Sequence, residues 1–588
     1  MIDAISEARR DGALRLTART DGQVTSSEAV QLPIMAPRLQ ADLAPDGYLK
    51  LALWGSGTLA TLRFTGWAGP YVYAPNRVMA VGGGACVAQS VPAMVLRNAR
   101  LRSLVPATRS AWWSDPAPRK PIGHAGDRRI AETGWGVVIV ETRGDDLVVA
   151  VGVDAAEAES GLLLSSEAIV AEADAYVARC DRLPEGDPEL RSMVSQGIHA
   201  ALSSIRRNER GAFAGLAAGQ AYSAPARTYY RDGYWTHQAL LAICPDVLRD
   251  QIDILASGLQ PDGEAPSGVI LTGPAQSVAW ERVRASHSII KEEHLRPGDW
   301  WSDHFDSPLF FVLTVGDYVR TTGDTEPLAR HLSRIRAIYR RYLGFAAADG
   351  LPLKPRHDRD WADNVYRGGY VAYDLGLWIG ALDVIARYCP AFDAELAAAA
   401  ARSAASARAS LEKALLQASG WFADYREKDG FVEDHLTLDS LTLLRFDAVS
   451  EARAVEVLDH VARRLESRSN HEQPYGDWGV MCAFPPFKRR SDTRAKTAFA
   501  YRYHNGSDWP YLSGLYAGER LRRGLAGWRY PLTRWWRTCL ENGWMGAVEY
   551  FSPPFGRGSL LQGWSSMPAA VALAHRARVL AGDEEAGP

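Results

Sequence analysis

Apolar residues recur at every second position along the first quarter of the chain. Leu49, Leu51 and Leu53 alternate with other residues before Gly55-Ser56-Gly57, and a second run passes through Leu62 and Phe64, which predicts a β-hairpin. Residues 136–141 and 147–151, split by Arg143-Gly144-Asp145-Asp146, predict another. Between them, 114–121 carries three prolines and reads as a loop. From Val30 to about Asp154 the expectation is an antiparallel β-sandwich.

The period then changes. Ala155 to Asp181 reads as helical and stops at Leu183-Pro184-Glu185-Gly186, which divides the chain into a β-sandwich domain (1–160), a helical linker (161–186) and an all-α domain (187–588). Asp187-Pro188-Glu189 combines an N-cap with proline at the first helical position, and Leu190, Val194, Ile198, Ala201 and Ile205 follow at helical spacing. Further helices are predicted around 231–243, 245–258, 305–322, 325–347, 371–388, 391–418, 433–446, 449–466, 507–523, 525–542 and 563–581. Short connections, as at Cys244-Pro245, Gly323-Asp324 and Cys389-Pro390, alternate with long ones rich in aromatic and acidic residues. That alternation predicts a mainly α fold, an (α/α)6 toroid of helical hairpins whose inner helices open onto one face where the long loops gather. No short-period repeat points to a solenoid.

Composition narrows the function. A length of 588 residues suits two domains. With 23% charged residues, a net charge of -3 and a pI near 6.5, there is no large single-sign field, which argues against nucleic acid or an anionic membrane surface as partner. The start, Met1 to Glu7, lacks a basic region followed by an apolar run, and no later segment is apolar for long enough to span a bilayer, so a cytoplasmic location is expected. Six scattered cysteines fit neither a disulfide framework nor a zinc pattern and read as buried free thiols. Tryptophan, at 19 residues, is abundant and sits beside Asp, Arg or Gly rather than inside apolar runs. Indole faces beside charged groups suit sugars, whose rings stack while their hydroxyls take the charges.

Four clusters in the long connections carry candidate chemistry. The central one, His357-Asp358-Arg359-Asp360-Trp361-Ala362-Asp363-Asn364, packs three carboxylates and a tryptophan into a turn before a helix; its plain alternative is a solvated acidic helix start. The first in the chain holds Tyr230, Arg231, Asp232 and Trp235, where Arg231 and Asp232 either fix sugar hydroxyls or form a structural salt bridge. The second runs from Asp299 to Pro308 and includes His304 and Asp306, with Glu292, Glu293 and His294 nearby; the spacing does not match a compact ligand motif, so neither a metal nor another cofactor is expected. The fourth is in two pieces. Tyr503-His504-Asn505-Gly506-Ser507-Asp508-Trp509-Pro510 precedes one helix, and Glu549, in an aromatic loop stiffened by proline, precedes Gln562-Gly563-Trp564-Ser565.

Arg231-Asp232, Trp361-Ala362-Asp363, Leu438-Asp439-Ser440, Tyr503-His504-Asn505-Gly506-Ser507 and Glu549 followed by Gln562-Gly563-Trp564-Ser565 occur in the order seen in six-hairpin glycosidases. The pattern resembles the amylo-α-1,6-glucosidase domain of glycogen debranching enzymes and is similar to the processing α-glucosidases, over roughly residues 187 to 581. The resemblance implies an inverting mechanism with Asp363 as general acid and Glu549 as general base. It also implies that a sugar is held by Tyr230, Arg231, Asp232, Trp235, Asp306, Asp360, Trp361, His504, Asn505, Trp509, Gln562 and Trp564. This chain departs from the debranching pattern at Asp508, where a valine usually precedes the Trp-Pro pair.

Glycoside hydrolysis needs one carboxylic acid to protonate the leaving oxygen and one carboxylate to activate water or attack the sugar. Asp363 and Glu549 supply both, with Asp360, three residues away across Trp361, as alternative acid. Asp363, beside an indole, is expected to have its charged form disfavoured by desolvation. Two rival readings are a toroidal polysaccharide lyase or sugar epimerase, working through His237, His304, His435 or His504, and a carbohydrate-binding protein without activity. The expected partner is an oligosaccharide or glycoside.

Overall fold

The computed structural model describes residues 15–111, 116–222, 224, 226–271, 299–553 and 555–583. Glu292, Glu293 and His294 lie outside the described residues, as do the side chains of Asp299 and Trp300.

Two antiparallel sheets form the N-terminal part, one of ten strands and one of five. The alternation at Leu49, Leu51 and Leu53 is that of a strand, Tyr48–Leu53, with those leucines buried and their neighbours half-buried. It pairs with Gly57–Thr65 as a hairpin in which Leu53 faces Gly57. The second predicted hairpin joins Val137–Arg143 to Asp146–Gly152, closing at Arg143 opposite Asp146. Gly144 supplies the positive φ, 60°, that a two-residue turn demands at its first central position.

The stretch expected as one helical linker is two helices, α1 (Ala155–Gly161) and α2 (Ser166–Cys180). They are separate because Ser165 starts a new cap, its hydroxyl accepting from the Ala168 amide at 3.2 Å. Neither is a free tether: Ala158, Ile169 and Ala173 pack on Val95, Ile139 and Val148 of the ten-stranded sheet. A single buried apolar cluster runs from the sandwich into the helical part, from Leu32 and Leu51 through Leu183 to Leu190 and beyond.

Helix α3 (Pro188–Ser204) begins as its sequence dictates, with Asp187 accepting from the Leu190 amide at 3.0 Å. Then come α4 (Tyr230–Leu240), α5 (Val247–Gly258), α6 (Ser307–Thr322), α7 (Glu326–Phe345), α8 (Ala372–Tyr388), α9 (Ala394–Leu415), α10 (Thr442–Arg445), α11 (Glu451–Arg464), α12 (Pro510–Arg522), α13 (Arg529–Asn542), α14 (Met567–Ala574) and α15 (Arg576–Ala581). Two predicted helices are shorter than expected. The segment predicted over 433–446 holds two short strands and a 3-10 turn before α10, and that over 563–581 opens with a 3-10 turn and breaks at His575.

The inner ring is closed: α4 packs on α6, α6 on α8, α8 on α10, α10 on α12, α12 on α14, and α14 returns to α4. Inner helices are apolar almost all round, as α8 is from Ala372 to Leu382, whereas outer helices such as α7 and α11 bury one stripe. Close approach needs small residues; a Cβ on Gly376 would lie 2.5 Å from Thr442 Oγ1. Each long connection precedes an inner helix, so the inner N-termini and the loops share one face. Helix dipoles make that face favourable for carboxylates. Among the described residues no helix is long and apolar enough to cross a membrane. Of the six free thiols, five are buried and Cys244 is half-buried.

Candidate active site

Three carboxylates from three connections meet at this face. Asp232 stands in the first turn of α4, with Oδ1 accepting from Gln562 Nε2 at 3.0 Å. Burial first, and then the charges of Glu549 and Asp363, push its carboxyl up to about 7 against the pull of Arg231. Asp232 therefore lies within electrostatic reach of both nominated catalytic acids. Arg231 donates to Asp306 Oδ2 at 2.6 Å, and Asp306 also lies 3.3 Å from His304 Nδ1. Asp303, from the same cluster, turns away to Arg341 and Arg359, so the second cluster's acids diverge.

Glu549 is held from two sides. Its Oε1 accepts from the Tyr222 hydroxyl at 2.9 Å and its Oε2 from the Ser559 amide at 3.0 Å. A Cβ on Gly558 would sit 2.5 Å from Glu549 Oε2 and 2.6 Å from the Tyr550 ring, so any larger residue there would displace one or both. Tyr222 was not among the sequence candidates; it stands on a short 3-10 turn, Gln220–Tyr222, with no motif around it. The sandwich domain anchors that turn, since Gln220 Nε2 donates to Asp42 Oδ1 at 2.5 Å and to the Ala41 carbonyl at 3.1 Å.

Asp363 keeps 25% of its side chain exposed, while His504 Nε2 lies 3.0 Å from Oδ1 and Asn364 donates to the same oxygen at 3.1 Å. Burial alone would raise its pKa, as expected from the sequence. The hydrogen bond from His504, with the charges of Arg231 and Lys496, wins instead and holds Asp363 below the usual carboxylate range. Burial lowers the pKa of His504, leaving a neutral imidazole whose Nε2–H donates to Asp363 and whose Nδ1 has no hydrogen-bond partner among the described residues. The resting carboxylate is thus ionised, contrary to the sequence expectation.

Aromatic rings wall the site. Trp361 donates through Nε1 to Asp439 Oδ2 at 2.7 Å and meets His504 edge to face at 4.4 Å. Trp564 stacks on Tyr511 at 5.0 Å, and Tyr503 meets Tyr550 at 4.9 Å. Nine non-glycine residues have positive φ among the described residues, and six of them (Trp301, Asp303, Ala495, Tyr501, Tyr503 and Leu561) lie in these long connections. Each costs about 1–3 kcal/mol, strain that concentrates where a site constrains the backbone.

Several candidates belong to the frame instead. Asp360 is fully buried, with Oδ1 on the Ala362 amide at 2.9 Å and Oδ2 between Arg367 at 3.0 Å and Lys354 at 3.1 Å, so it has no free oxygen for a sugar and no path to a leaving group. Tyr230 points outward, donating to the Leu255 carbonyl of α5 at 2.5 Å. Trp235 and Trp509 are 0% exposed and pack in the aromatic core, Trp509 stacked on His504 at 5.0 Å. Asn505 ties its own loop together, accepting from the Phe487 amide and donating to the Thr497 carbonyl, both at 3.0 Å. Of the other histidines, His237 lies 3.2 Å from Asp317 of α6, and His435 is engaged by Asp424 and the Pro485 carbonyl, both at 3.1 Å.

Asp508, the departure from the debranching pattern, is also framework: Oδ2 accepts from the Val480 amide at 2.8 Å and Oδ1 from Ser513 at 2.9 Å. Burial pushes its carboxyl up to about 7. The folded state therefore holds a proton that the unfolded chain releases near pH 4, and this contribution to stability is lost as pH rises through about 7. Asp508→Asn, which mimics the protonated form, is expected to be more stable than the wild type at pH 8 and no more stable at pH 4, as read from urea midpoints.

No protein-family model and no curated protein matches the chain by sequence. Among solved structures it is similar to a bacterial glucoamylase complexed with acarbose (TM-score 0.59, 10% identity, 96% of this chain and 94% of that one). It is also similar to a rhamnosidase from Klebsiella oxytoca with rhamnose bound (TM-score 0.51, 14% identity, 98% and 99%). Along nearly the whole length of both, the chain has their fold, an N-terminal β-sandwich followed by an (α/α)6 toroid.

Proposed function

We propose that the protein is a glycoside hydrolase that inverts at the anomeric carbon, with Asp363 as general acid and Glu549 as general base, α-glucosides being the first substrates to try. The observation that carries this reading is that Asp363 and Glu549, 186 residues apart in sequence, are joined through one aromatic cluster: His504 bonds Asp363 at 3.0 Å, its neighbour Tyr503 meets Tyr550 at 4.9 Å, and Tyr550 follows Glu549. Two carboxylates in adjoining connections, one partly exposed and beside an imidazole, the other fixed by two donors, match the division of labour that glycoside cleavage requires. The likeness in fold to a glucoamylase and a rhamnosidase makes a sugar the natural ligand class.

In the proposed reaction, Arg231, Asp232, Trp361, Gln562 and Trp564 hold the glycone. Asp363 gives its proton to the leaving oxygen while Glu549 takes one from the attacking water. Asp306 keeps Arg231 in place, and Asp360 with Lys354 and Arg367 fixes the turn that presents Asp363. The test is a panel of α- and β-linked oligosaccharides with released sugars identified and the first-formed anomer read by proton NMR. Release of a sugar of opposite anomeric configuration is expected. Retention would make Glu549 a nucleophile, an unsaturated product would mark a lyase, and no release from any member would leave a binding protein.

A further inference from the structure

The connection over 465–509, which brings His504 to Asp363, carries a run of cations. Residues 488–502 hold Lys488, Arg489, Arg490, Arg494, Lys496 and Arg502 against one carboxylate, Asp492, in a chain whose net charge is -3. Among the described residues, three of the six are in ion pairs. Lys488 pairs with Asp434 at 2.6 Å, Arg489 with Glu427 at 3.1 Å, and Arg494 lies 3.2 Å from Asp358.

Lys496 differs. It is half-buried on the 3-10 turn Ala495–Ala498 and makes no ion pair among the described residues. Its ammonium donates to the Tyr550 hydroxyl at 3.0 Å and stands 3.7 Å from the centre of the Tyr503 ring. Tyr550 follows Glu549 in the chain, and Tyr503 precedes His504, which donates to Asp363. Cation–π contact with two tyrosines can hold a lysine in place, but it leaves the charge of a partly desolvated ammonium uncompensated.

Direction decides what that charge faces. A general acid stands beside the oxygen it protonates, so the half of the substrate that departs lies on the Asp363 side of the site. Lys496 stands over the Tyr503 ring, that ring lies 4.1 Å from the His504 imidazole, and His504 bonds Asp363 at 3.0 Å, which puts the ammonium on that side. Arg490 is exposed and Arg502 half-buried over the Phe555 ring, and both are also without ion pairs among the described residues. We propose that Lys496 forms an anion-binding subsite for the leaving half of the substrate, so that the protein prefers glycosides whose leaving group carries a carboxylate. This rests on the glycosidase reading, since it takes Asp363 as the acid.

A matched pair tests it: 4-carboxyphenyl α-D-glucopyranoside and its methyl ester, or the same aglycones on whichever sugar the panel releases. The ester is intrinsically the better leaving group, because its phenol is the more acidic, so a preference for the carboxylate must come from binding. Wild-type kcat/KM is expected to be about tenfold higher on the carboxylate, the scale of one charge-assisted hydrogen bond. Raising the salt concentration should erode the ratio, Lys496→Gln should reduce it to one or below, and Lys496→Arg should keep part of it. A wild-type ratio at or below one, with both compounds hydrolysed, overturns the subsite and leaves the glycosidase reading intact. If neither compound is hydrolysed, tryptophan-fluorescence titration separates the two ideas. Tighter binding of the carboxylate that depends on Lys496 upholds the subsite while the glycosidase reading falls; equal binding of the two compounds overturns the subsite as well.

Discussion

Glu549→Gln is expected to lose about a thousandfold in kcat on every substrate, and Asp363→Asn to lose as much only where the leaving group needs a proton. The two differ because their tasks differ. Glu549 must take a proton from water whatever the aglycone, and the amide cannot do so although it is the same size and can still meet Tyr222. Asp363 serves only the leaving oxygen, and a glycosyl fluoride departs without much help, so Asp363→Asn should turn over that substrate at near wild-type rate. The resting ionisation of Asp363 adds a pH signature. Its pKa is held down by His504, so the protonated fraction falls as pH rises, and kcat/KM on an unactivated glycoside should climb as pH is lowered from 7 toward 5. For Asp363→Asn on the fluoride the part of that dependence due to Asp363 should disappear, leaving only the titration of Asp232 near 7. Full activity of either variant on an unactivated glycoside would remove that residue from the mechanism.

Arg367→Met should destabilise the folded protein by about 3–5 kcal/mol, the usual cost of stranding buried charge. The guanidinium is 1% exposed and reaches three carboxylates: Asp360 at 3.0 Å, Asp424 at 2.6 Å and Asp439 at 3.0 Å. Asp439 in turn holds the Trp361 indole, Asp424 holds His435, and Lys354 is the other cation on Asp360. Removing the guanidinium leaves three buried carboxylates with one lysine among them, and their repulsion falls on the turn that presents Asp363. The midpoint of urea unfolding should drop clearly and activity with it. By contrast, Arg249→Ala, which breaks an exposed pair with Glu326, should leave the midpoint unmoved. An unchanged midpoint in Arg367→Met would mean that the cluster relaxes or takes up protons without cost.

The sequence by itself determined the elements and their arrangement. Helix starts are local chemistry, as at Asp187-Pro188, and a leucine every second residue is the pleat of a strand, so the sandwich and the helical segments other than that over 433–446 were legible without tertiary information. Alternating short and long connections then leave few ways to pack other than a ring. The same loops hold the candidate site, because aromatic and acidic residues outside apolar runs have no core to enter.

Tertiary structure alone decided what each of those residues does. Asp360 and Asp363 flank Trp361 in one turn and are equivalent on paper; Arg367 and Lys354 take one into the frame and leave the other open. Trp235 and Trp361 both stand beside polar residues in sequence, yet the closed inner ring buries Trp235 completely. Tyr222, which fixes Glu549, carries no motif, for its role depends on a partner 327 residues away. Desolvation, which sets the expected pKa of a carboxylate beside an indole, is legible from neighbours in the chain. The imidazole that reverses it at Asp363 arrives only when the connection before α12 folds over the one before α8.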